Sequence, residues 1–333
     1  MKYWQIAAGS GTDSRDYSDE FLRFGIAFAG DDGQSNPICQ VQPGERMVLK
    51  RGISRIIAAG EVVQRDGKHS GFDDKDWLHD FDGWHLPGWC YVDWHVPPQE
   101  VPVSGLRMGT ISAINQLNVI AEANRIIAQY PVRNFDKEPE STTRVEDEEI
   151  IEFLIENGMA VRVAEDLTRT FGRIRRLEKF YRGCPWEKIR EHETRTFLVV
   201  PLLLALGWPE QKIKIELTLS GCGRADVALF NDASSAANEQ LDNLCGLIET
   251  KGFKEGLFDA PKQALNYASD LPNCKVVFVS NGYCYKAYVR QPGGMFSSDR
   301  PSAYLNIREP RNRYPRDPAV DGCLRAIELL LPP

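Results

Sequence analysis

The spacing of apolar residues changes at about residue 132, and this change constrains the fold more than any other feature of the chain. Up to residue 131, apolar residues gather in short runs separated by glycine and proline, a pattern typical of short strands. The one clear helical pattern in this half covers residues 112–130. The runs are YWQIAAG, GIAFAG, ERMVLKRG, RIIAAGEVV and WCYVDWHVP. Many short strands with turn signals predict a small β-barrel over residues 1–131.

A polar run, RNFDKEPESTTRVEDEE, follows and predicts a helical linker over residues 132–184. Helices are expected at about 146–157 and 160–182. The second helix is rich in arginine and lysine, which is typical of a solvated or ion-paired face but also allows contact with phosphate groups. Its candidate contacts to a DNA backbone are Arg173, Arg175 and Arg176.

Residues 185–333 combine helices with strands. A helix is predicted over 187–206, with Pro201 as a kink, and the strands QKIKIELTLS, RADVALF and CGLIETK follow it. The helix DAPKQALNYASDL and the strands KVVFVSNG and YCYKAYVR complete a mixed sheet with helices packed on it. A chain of 333 residues suits two domains better than one. The predicted fold class is therefore α+β, with two domains joined by the linker.

Composition excludes several classes of protein. The net charge of -7 gives no global basic signature, so any binding of nucleic acid has to come from local patches. The first residues, MKYWQIAAGS, lack the pattern of a signal peptide, and the run FLVVPLLLALGW is too short to span a bilayer. We therefore expect a cytoplasmic protein that does not bind membranes. Gly9-Ser10-Gly11 lacks the Lys-Ser/Thr ending of a phosphate loop, so no nucleotide-driven motor is expected.

Cysteine and histidine do not predict a metal site. The eight cysteines are scattered singly, which favours reduced thiols in the core over disulfides or structural zinc. His79, His85 and His95 match no usual zinc spacing, and we interpret them as ordinary surface or core residues. Any metal is therefore expected to be held by oxygen atoms.

Three charged residues fall on neighbouring predicted strands. Asp226 lies on the second strand of the C-terminal series, and Glu249 and Lys251 alternate along one face of the third. If these strands pair, two carboxylates and the backbone carbonyl of Thr250 form a ligand set suited to Mg²⁺, beside a lysine that can position or activate water. This predicts a phosphodiester hydrolysis site. The alternative is a structural α/β domain in which the same charges pair with one another.

The pattern of Asp226 followed by Glu249-Thr250-Lys251 resembles the PD-(D/E)xK nuclease signature, with Ala225 where the motif name has proline. EHETRTFLVVPLLLALGW and KQALNYASDL resemble two helices of the nuclease domain that begins the R subunits of type I restriction enzymes. The resemblance covers residues 185–333. It implies Mg²⁺, replaceable by Mn²⁺, held by Asp226, Glu249 and the Thr250 carbonyl. It also implies supporting roles for Glu193, at the metal or its water, and for Gln263, at the motif strand or the phosphate.

The N-terminal runs resemble PUA-like domains, related to the EVE and YTH families, that occur fused to restriction nucleases. Such domains hold a base, often a modified one, between aromatic rings. Trp4 and Trp94 lie in predicted strands and are assigned to packing. The candidate base-binding residues are Trp77, Trp84 and Trp89, in the loop-rich stretch DKDWLHDFDGWHLPGW.

Together the two resemblances imply a modification-dependent restriction endonuclease, similar to type IV enzymes, that acts in antiviral defence. Its partner is double-stranded DNA, and cutting both strands requires two catalytic centres, so we expect a homodimer on DNA. Three alternatives stay open: an endonuclease specific for an unmodified sequence, an effector nuclease activated by a small nucleotide, and a binding module without activity. The sequence does not specify the base that is read, the cut position, or DNA against RNA.

Overall fold

The computed structural model describes residues 1–9, 16–30, 35–184, 189–219, 223–253, 256–257, 260–297 and 300–333. Contacts divide the chain into two units, Met1–Glu140 and Ser141–Pro333. Each unit contains its own sheet with helices, which confirms the α+β class and the two-part organisation. The boundary lies nine residues later than the predicted end of the barrel at residue 131.

The first unit contains the predicted strands and several shorter elements. Its strands are β1 (Tyr3–Ala7), β2 (Ile26–Ala29), β3 (Arg46–Arg51), β4 (Arg55–Val62), β5 (Ser70–Phe72), β6 (Gly88–His95), β7 (Val101–Pro102) and β8 (Ile111–Ala113). Its helices are α1 (Ser18–Phe24), α2 (Ser35–Cys39), α3 (Asp76–His79) and α4 (Leu117–Gln129).

These strands form one curled sheet, a half-barrel, in the order β2-β6-β4-β3-β1-β8, with β5 on β6 and β7 on β4. Helix α4 packs on it because Val119, Ala123 and Ile126 recur at helical spacing and are fully buried against Val48 and Ile56. Helices α1 to α3 contain four to seven residues, too few for a helical period to show in the sequence.

The segment from residue 132 to residue 140 belongs to the first unit. The Arg133 N–H donates to the Trp94 carbonyl at 2.7 Å, and the Glu138 carboxylate accepts a hydrogen bond from Lys75 at 2.6 Å. Glu138 also accepts from the Tyr91 hydroxyl at 2.8 Å. These residues therefore form part of the first unit and not of a linker.

The second unit is built on an open sheet. Its strands are β9 (Ile213–Leu219), β10 (Gly223–Phe230), β11 (Leu244–Thr250), β12 (Val276–Ser280), β13 (Cys284–Val289), β14 (Ala303–Asn306), β15 (Arg313–Tyr314) and β16 (Asp317–Asp321). Its helices are α5 (Asp147–Glu156), α6 (Val161–Arg182), α7 (Glu191–Thr194), α8 (Val200–Ala205), α9 (Ala233–Ala237), α10 (Ala260–Ser269) and α11 (Cys323–Leu330). A π-helical turn (Arg195–Val199) joins α7 to α8.

The strand order is β15-β16-β14-β13-β12-β11-β10-β9. Strand β11 therefore lies inside the sheet, and all seven of its residues are buried. It pairs antiparallel with β10 and parallel with β12. The predicted strands form, and β14 to β16 extend the sheet beyond the last of them.

Helices α5 and α6 belong to the second unit, which corrects the prediction of a separate helical linker over residues 132–184. Ile150 and Leu154 of α5 and Leu167, Phe171 and Ile174 of α6 are fully buried in the same core as the sheet. Their spacing marks one apolar face on each helix. The apolar spacing of each helix could be recognised in the sequence. The many charged residues around it gave no indication that the helices pack on the sheet of the second unit.

The predicted helix over residues 187–206 is divided by the π turn, in which the Val200 N–H donates to the Arg195 carbonyl five residues back. Residues 185–188 lie outside the described part of the chain. Pro201 is the second residue of α8 and follows the π turn directly, and because it has no N–H it cannot donate the next helical hydrogen bond there. Among the helices that the structure describes, none has the length and apolar character needed to cross a bilayer.

Candidate active site

Three carboxylates line up across three neighbouring strands. In the register of β9 and β10, Ala225 pairs with Leu217 and Val227 with Ile215, so Glu216 lies opposite Asp226. In the register of β10 and β11, Val227 pairs with Ile248, which places Glu249 next to Asp226. Residues directly opposite one another share a face of the sheet. The predicted convergence of Asp226 and Glu249 is therefore present, with Glu216 as a third member.

Asp226 is held from two sides. Its Oδ1 accepts a hydrogen bond from Arg195 at 2.6 Å, and its Oδ2 accepts from the Thr250 N–H at 2.7 Å and the Thr250 hydroxyl at 2.8 Å. Its side chain is 16% exposed. Asp226 thus ties β10 to the end of β11 through a charge-assisted hydrogen bond.

The carbonyl of Thr250 points toward the same spot. Within an extended strand, the N–H and C=O of one residue point to the same side of the chain. Because the Thr250 N–H donates to Asp226, its carbonyl oxygen is directed toward the Asp226 side as well. The N–H of the following residue, Lys251, points the other way and donates to Ser280 of β12 at 2.8 Å.

Glu249 and Lys251 form an ion pair of 2.9 Å between Oε1 and Nζ. Glu249 is 5% exposed, and burial raises the pKa of its carboxyl because the Lys251 ammonium offsets the lost solvation only in part. Burial acts to lower the pKa of Lys251, but the carboxylates of Glu249 and Glu191 outweigh it and raise that pKa. Lys251 is therefore a protonated donor at neutral pH.

The helix glutamate that faces this cluster is Glu191 and not the predicted Glu193. Glu191 lies 3.8 Å from the Lys251 ammonium. Glu193 accepts the Arg190 N–H at 2.9 Å at the start of the helix, and its carboxylate lies 3.1 Å from the His192 ring. The two residues differ in direction because a separation of two in a helix turns the side chain by about 200°.

The side chain of Gln263, on α10, lies outside the described residues. Its neighbour on the helix, Tyr267, lies beside the start of β10. A Cβ added to Gly223 would come within 2.9 Å of the Tyr267 hydroxyl. Helix α10 is thus placed close to the strand that carries Asp226, three residues after Gly223.

Arg195 is the main residue that sequence reasoning missed. It is 7% exposed and joins the row of carboxylates, because its guanidinium also donates to Glu216 at 2.7 Å. A signal was present: Arg195 shares helical spacing with the buried Leu198 and Leu202, so it falls on an apolar face. A buried arginine on such a face needs a carboxylate partner.

The position of this helix depends on a glycine. Gly282, in the turn after β12, has a φ of 94°, which strongly favours glycine. A Cβ there would lie 2.4 Å from Leu198 and 2.9 Å from Thr194. The close approach of the turn holds the π-helical segment, and with it Arg195, against the sheet.

Glu216 gave no clear signal in the sequence. It lies on β9 among residues predicted to alternate between a buried apolar face and an exposed polar face. This alternation holds only in part, since the apolar Ile215 is 43% exposed. The reason is the φ of 57° at Glu216, which interrupts the pleat between the two halves of β9. Its other carboxylate oxygen lies 3.0 Å from the guanidinium of Arg224, with which it forms an ion pair.

The predicted DNA contacts on α6 separate into two kinds. Arg175 makes two 2.7 Å hydrogen bonds to Asp147 of α5 and a third of 2.7 Å to the Ile307 carbonyl. It therefore holds α6 in the second unit, which corrects its assignment as a backbone contact. Arg173 and Arg176 are exposed on the outer face of the helix.

Two of the three candidate base-binding tryptophans are buried. Trp77 and Trp89 are 3% and 1% exposed, and their indole N–H groups donate to Glu138 at 3.0 Å and Asp74 at 2.5 Å. The Lys75 ammonium lies 4.0 Å from the centroid of the Trp89 ring and covers a face that a base would need. This corrects the interpretation of these two rings as walls of an open cage.

Trp84 is the half-buried member of the three. Its ring lies edge-on to Tyr17, with 5.6 Å between the centroids. Trp94 is 1% exposed within β6, as predicted for a packing residue. The loop-like composition of this stretch predicted exposed rings. Instead, the four-residue helix α3 places Trp77 in the core.

Comparison with known proteins gives no assignment: no protein-family model matches the chain, and no curated protein matches it. Its function has to be inferred from its own residues.

Proposed function

We propose that this chain is a metal-dependent endonuclease of a restriction or defence system, with its hydrolytic site in the second unit. The observation that carries the proposal is the 2.7 Å hydrogen bond from the Thr250 N–H to Asp226. Through it Asp226, Glu249 and the Thr250 carbonyl share one spot on the sheet, with the Lys251 ammonium 2.9 Å from Glu249. This arrangement agrees with the PD-(D/E)xK resemblance.

The residues fit Mg²⁺. Two carboxylates and a carbonyl are hard oxygen ligands, and the remaining positions of an octahedral ion can be filled by water. Burial raises the pKa of the Glu249 carboxyl, and a divalent cation beside it favours the charged form. When bound, the ion lowers the pKa of a water molecule and neutralises charge on a phosphate.

Lys251 has a restricted role. Because its pKa is raised, it donates hydrogen bonds and does not accept a proton at neutral pH. An ammonium at this place orients the attacking water or a phosphate oxygen and stabilises the charge that develops there. Glu191, 3.8 Å away, helps keep it protonated and in position.

We assign target choice to the first unit, which resembles PUA-like domains and is proposed to read a modified base in double-stranded DNA. Of the three candidate rings, Trp84 is the one with exposed surface for stacking. Cleavage of both strands then requires two copies of the chain on one DNA.

The test compares the wild type, Glu249→Gln and a control, Glu152→Gln, which changes an exposed glutamate of α5. Each is incubated with Mg²⁺ and matched DNAs that are unmodified or carry N6-methyladenine, 5-methylcytosine or 5-hydroxymethylcytosine. We expect the wild type and the control to cut one modified DNA and Glu249→Gln to cut none. Equal cutting of all DNAs contradicts the reader assignment and leaves the nuclease. No cutting with either Mg²⁺ or Mn²⁺ contradicts the proposal and favours a nuclease that needs an activating nucleotide.

A further inference from the structure

Residues 73–87 leave the sheet after β5 and return to it at β6, and we call this segment the excursion. Backbone hydrogen bonds join its two ends. The Asp73 N–H donates to the Pro87 carbonyl at 2.9 Å, and the Leu86 N–H donates to the Leu78 carbonyl at 2.9 Å. Below these bonds Trp77, Leu78 and Phe81 are buried at 3%, 1% and 0% exposure. The segment thus presents its polar side chains from a packed base.

Three of these side chains meet at its surface. The His85 Nε2 lies 2.6 Å from the Asp73 Oδ1, and the His79 Nε2 lies 3.4 Å from the same oxygen. The His79 Nε2 is also 3.1 Å from the Asp73 carbonyl. The two imidazole rings are 5.4 Å apart between centroids. One ligand atom from each residue lies within 4.8 Å of the other two.

Two of the three separations are close to those of a zinc site, and the third is at most 4.8 Å. Ligand atoms about 2.0–2.1 Å from a tetrahedral ion lie about 3.4 Å from one another. The separation of His79 and Asp73 has this value already, and His85 has to withdraw from Asp73 by less than about 1 Å. The side chains are 43%, 27% and 22% exposed for Asp73, His79 and His85, so solvent-side space allows the shift.

We propose that Asp73, His79 and His85 bind a divalent transition-metal ion of the Zn²⁺ type. Two imidazole nitrogens and one carboxylate are borderline ligands that select Zn²⁺ or its neighbours over Mg²⁺. Three protein ligands leave at least one position for water or an anion, as in zinc sites that bind a further ligand. The ion joins the residue after β5, the last residue of α3 and the segment that leads into β6.

The site differs from the proposed hydrolytic centre in ligand type, and all three of its residues belong to the first unit of the chain. Sequence spacing did not reveal it because the third ligand is an aspartate and no cysteine takes part. The excursion brings residues 6 and 12 positions from Asp73 back beside it.

The test uses the full-length protein after treatment with a chelator, in excess Mg²⁺ so that oxygen sites are occupied. Co²⁺ is titrated and followed by visible absorption, and Zn²⁺ is then used to displace it. We expect one strongly absorbing Co²⁺ per chain, displaced by Zn²⁺, in the wild type and in the control His69→Gln. His79→Gln and His85→Gln are expected to weaken Zn²⁺ binding by at least about 100-fold, more than the loss of an outer-shell partner.

Asp73→Asn provides a second variant of nearly equal shape if a histidine variant fails to fold, as judged by circular dichroism without metal. It is expected to lose the absorption of bound Co²⁺. Equal binding by the wild type and Asp73→Asn overturns the proposal, as does a dissociation constant of the wild type for Zn²⁺ weaker than about 1 mM.

Discussion

The two clusters proposed to bind metal differ in how their residues pair with one another. In the second unit, Asp226 and Glu249 are paired with the guanidinium of Arg195 and the ammonium of Lys251, and Glu249 and Arg195 are nearly buried. In the first unit, Asp73 is 43% exposed and contacts two imidazoles at the surface. The first arrangement is part of the core of its unit, whereas the second lies on top of one.

The difference shows where each geometry comes from. The carboxylates of the second unit are placed by strand register, so their positions follow from the pairing of three strands. The histidine cluster is placed by a local excursion of the chain between two strands. We therefore expect the first cluster to be tightly coupled to folding and the second to be coupled mainly to its ion.

The largest expected effect separates the two clusters by function. Asp226→Asn removes the charge of a proposed Mg²⁺ ligand. On the proposed function, it is expected to slow DNA cleavage by about 1000-fold or more, since a catalytic metal contributes several kcal/mol. Initial cleavage rates measure this effect, with Asp242→Asn, an exposed position in the same unit, as the control. Co²⁺ binding in the first unit should stay as in the wild type. A variant that cuts at the wild-type rate would exclude Asp226 from the site.

The next effect concerns stability. Arg195→Leu leaves Asp226 and Glu216 without their shared cation, and breaking such a largely buried pair is expected to lower the free energy of unfolding by about 3 kcal/mol. Urea denaturation measures the change. Arg224→Gln removes the exposed partner of Glu216 and should cost less than about 1 kcal/mol. Similar losses for both variants would contradict a special role for Arg195.

A smaller effect is expected in the first unit. Without metal, Asp73→Asn should change the free energy of unfolding by less than about 1 kcal/mol, because its partners are imidazoles at a half-exposed surface. With excess Zn²⁺ the wild type should become more stable and Asp73→Asn should not, by the linkage between binding and folding. A large loss without metal would show that this cluster too is part of the core.

The smallest expected signal is a dependence on pH. Burial raises the pKa of Glu249 in the folded state, so the folded protein holds this proton more tightly than the unfolded chain does. Its contribution to stability is complete below the unfolded pKa and is lost as the pH rises through the folded pKa. The amide of Glu249→Gln does not titrate in this range. With a chelator present, the free energy of unfolding of Glu249→Gln should therefore rise relative to that of the wild type as the pH increases from about 4 to 7. Parallel curves would contradict the raised pKa.

The sequence predicted the main strands of the two sheets, β1 to β4, β6 and β9 to β13, and the meeting of Asp226 with Glu249, since alternation and strand order determine both. It did not predict Arg195 or Glu216, because their contacts depend on a π turn and on the register of a strand with left-handed backbone at Glu216. Choosing Glu193 in place of Glu191 was an error of helical direction. These features arise from packing between segments, which a single sequence records only indirectly.

The misassigned tryptophans have a similar cause. The stretch DKDWLHDFDGWHLPGW has the composition of a loop, and its aromatic rings were expected at the surface. The short helix α3 and the bonds from Trp77 and Trp89 to Glu138 and Asp74 bury two of them. The indole N–H of Trp77 donates to a residue far along the chain, and that of Trp89 donates to a residue of the excursion. Composition alone does not reveal these hydrogen-bond partners.

The π turn before Pro201 also makes the direction of Arg195 a matter of chain length. Such a turn contains one residue more than the α-helix it interrupts, and Thr196 and Phe197 lie exposed on its outer side. Deleting Thr196 would restore a regular helix and rotate everything before it by about 100° relative to α8. The helix would survive, but Arg195 and Glu191 would turn away from the sheet. The presence of one additional residue in the π turn thus determines whether the Arg195 guanidinium points toward Asp226.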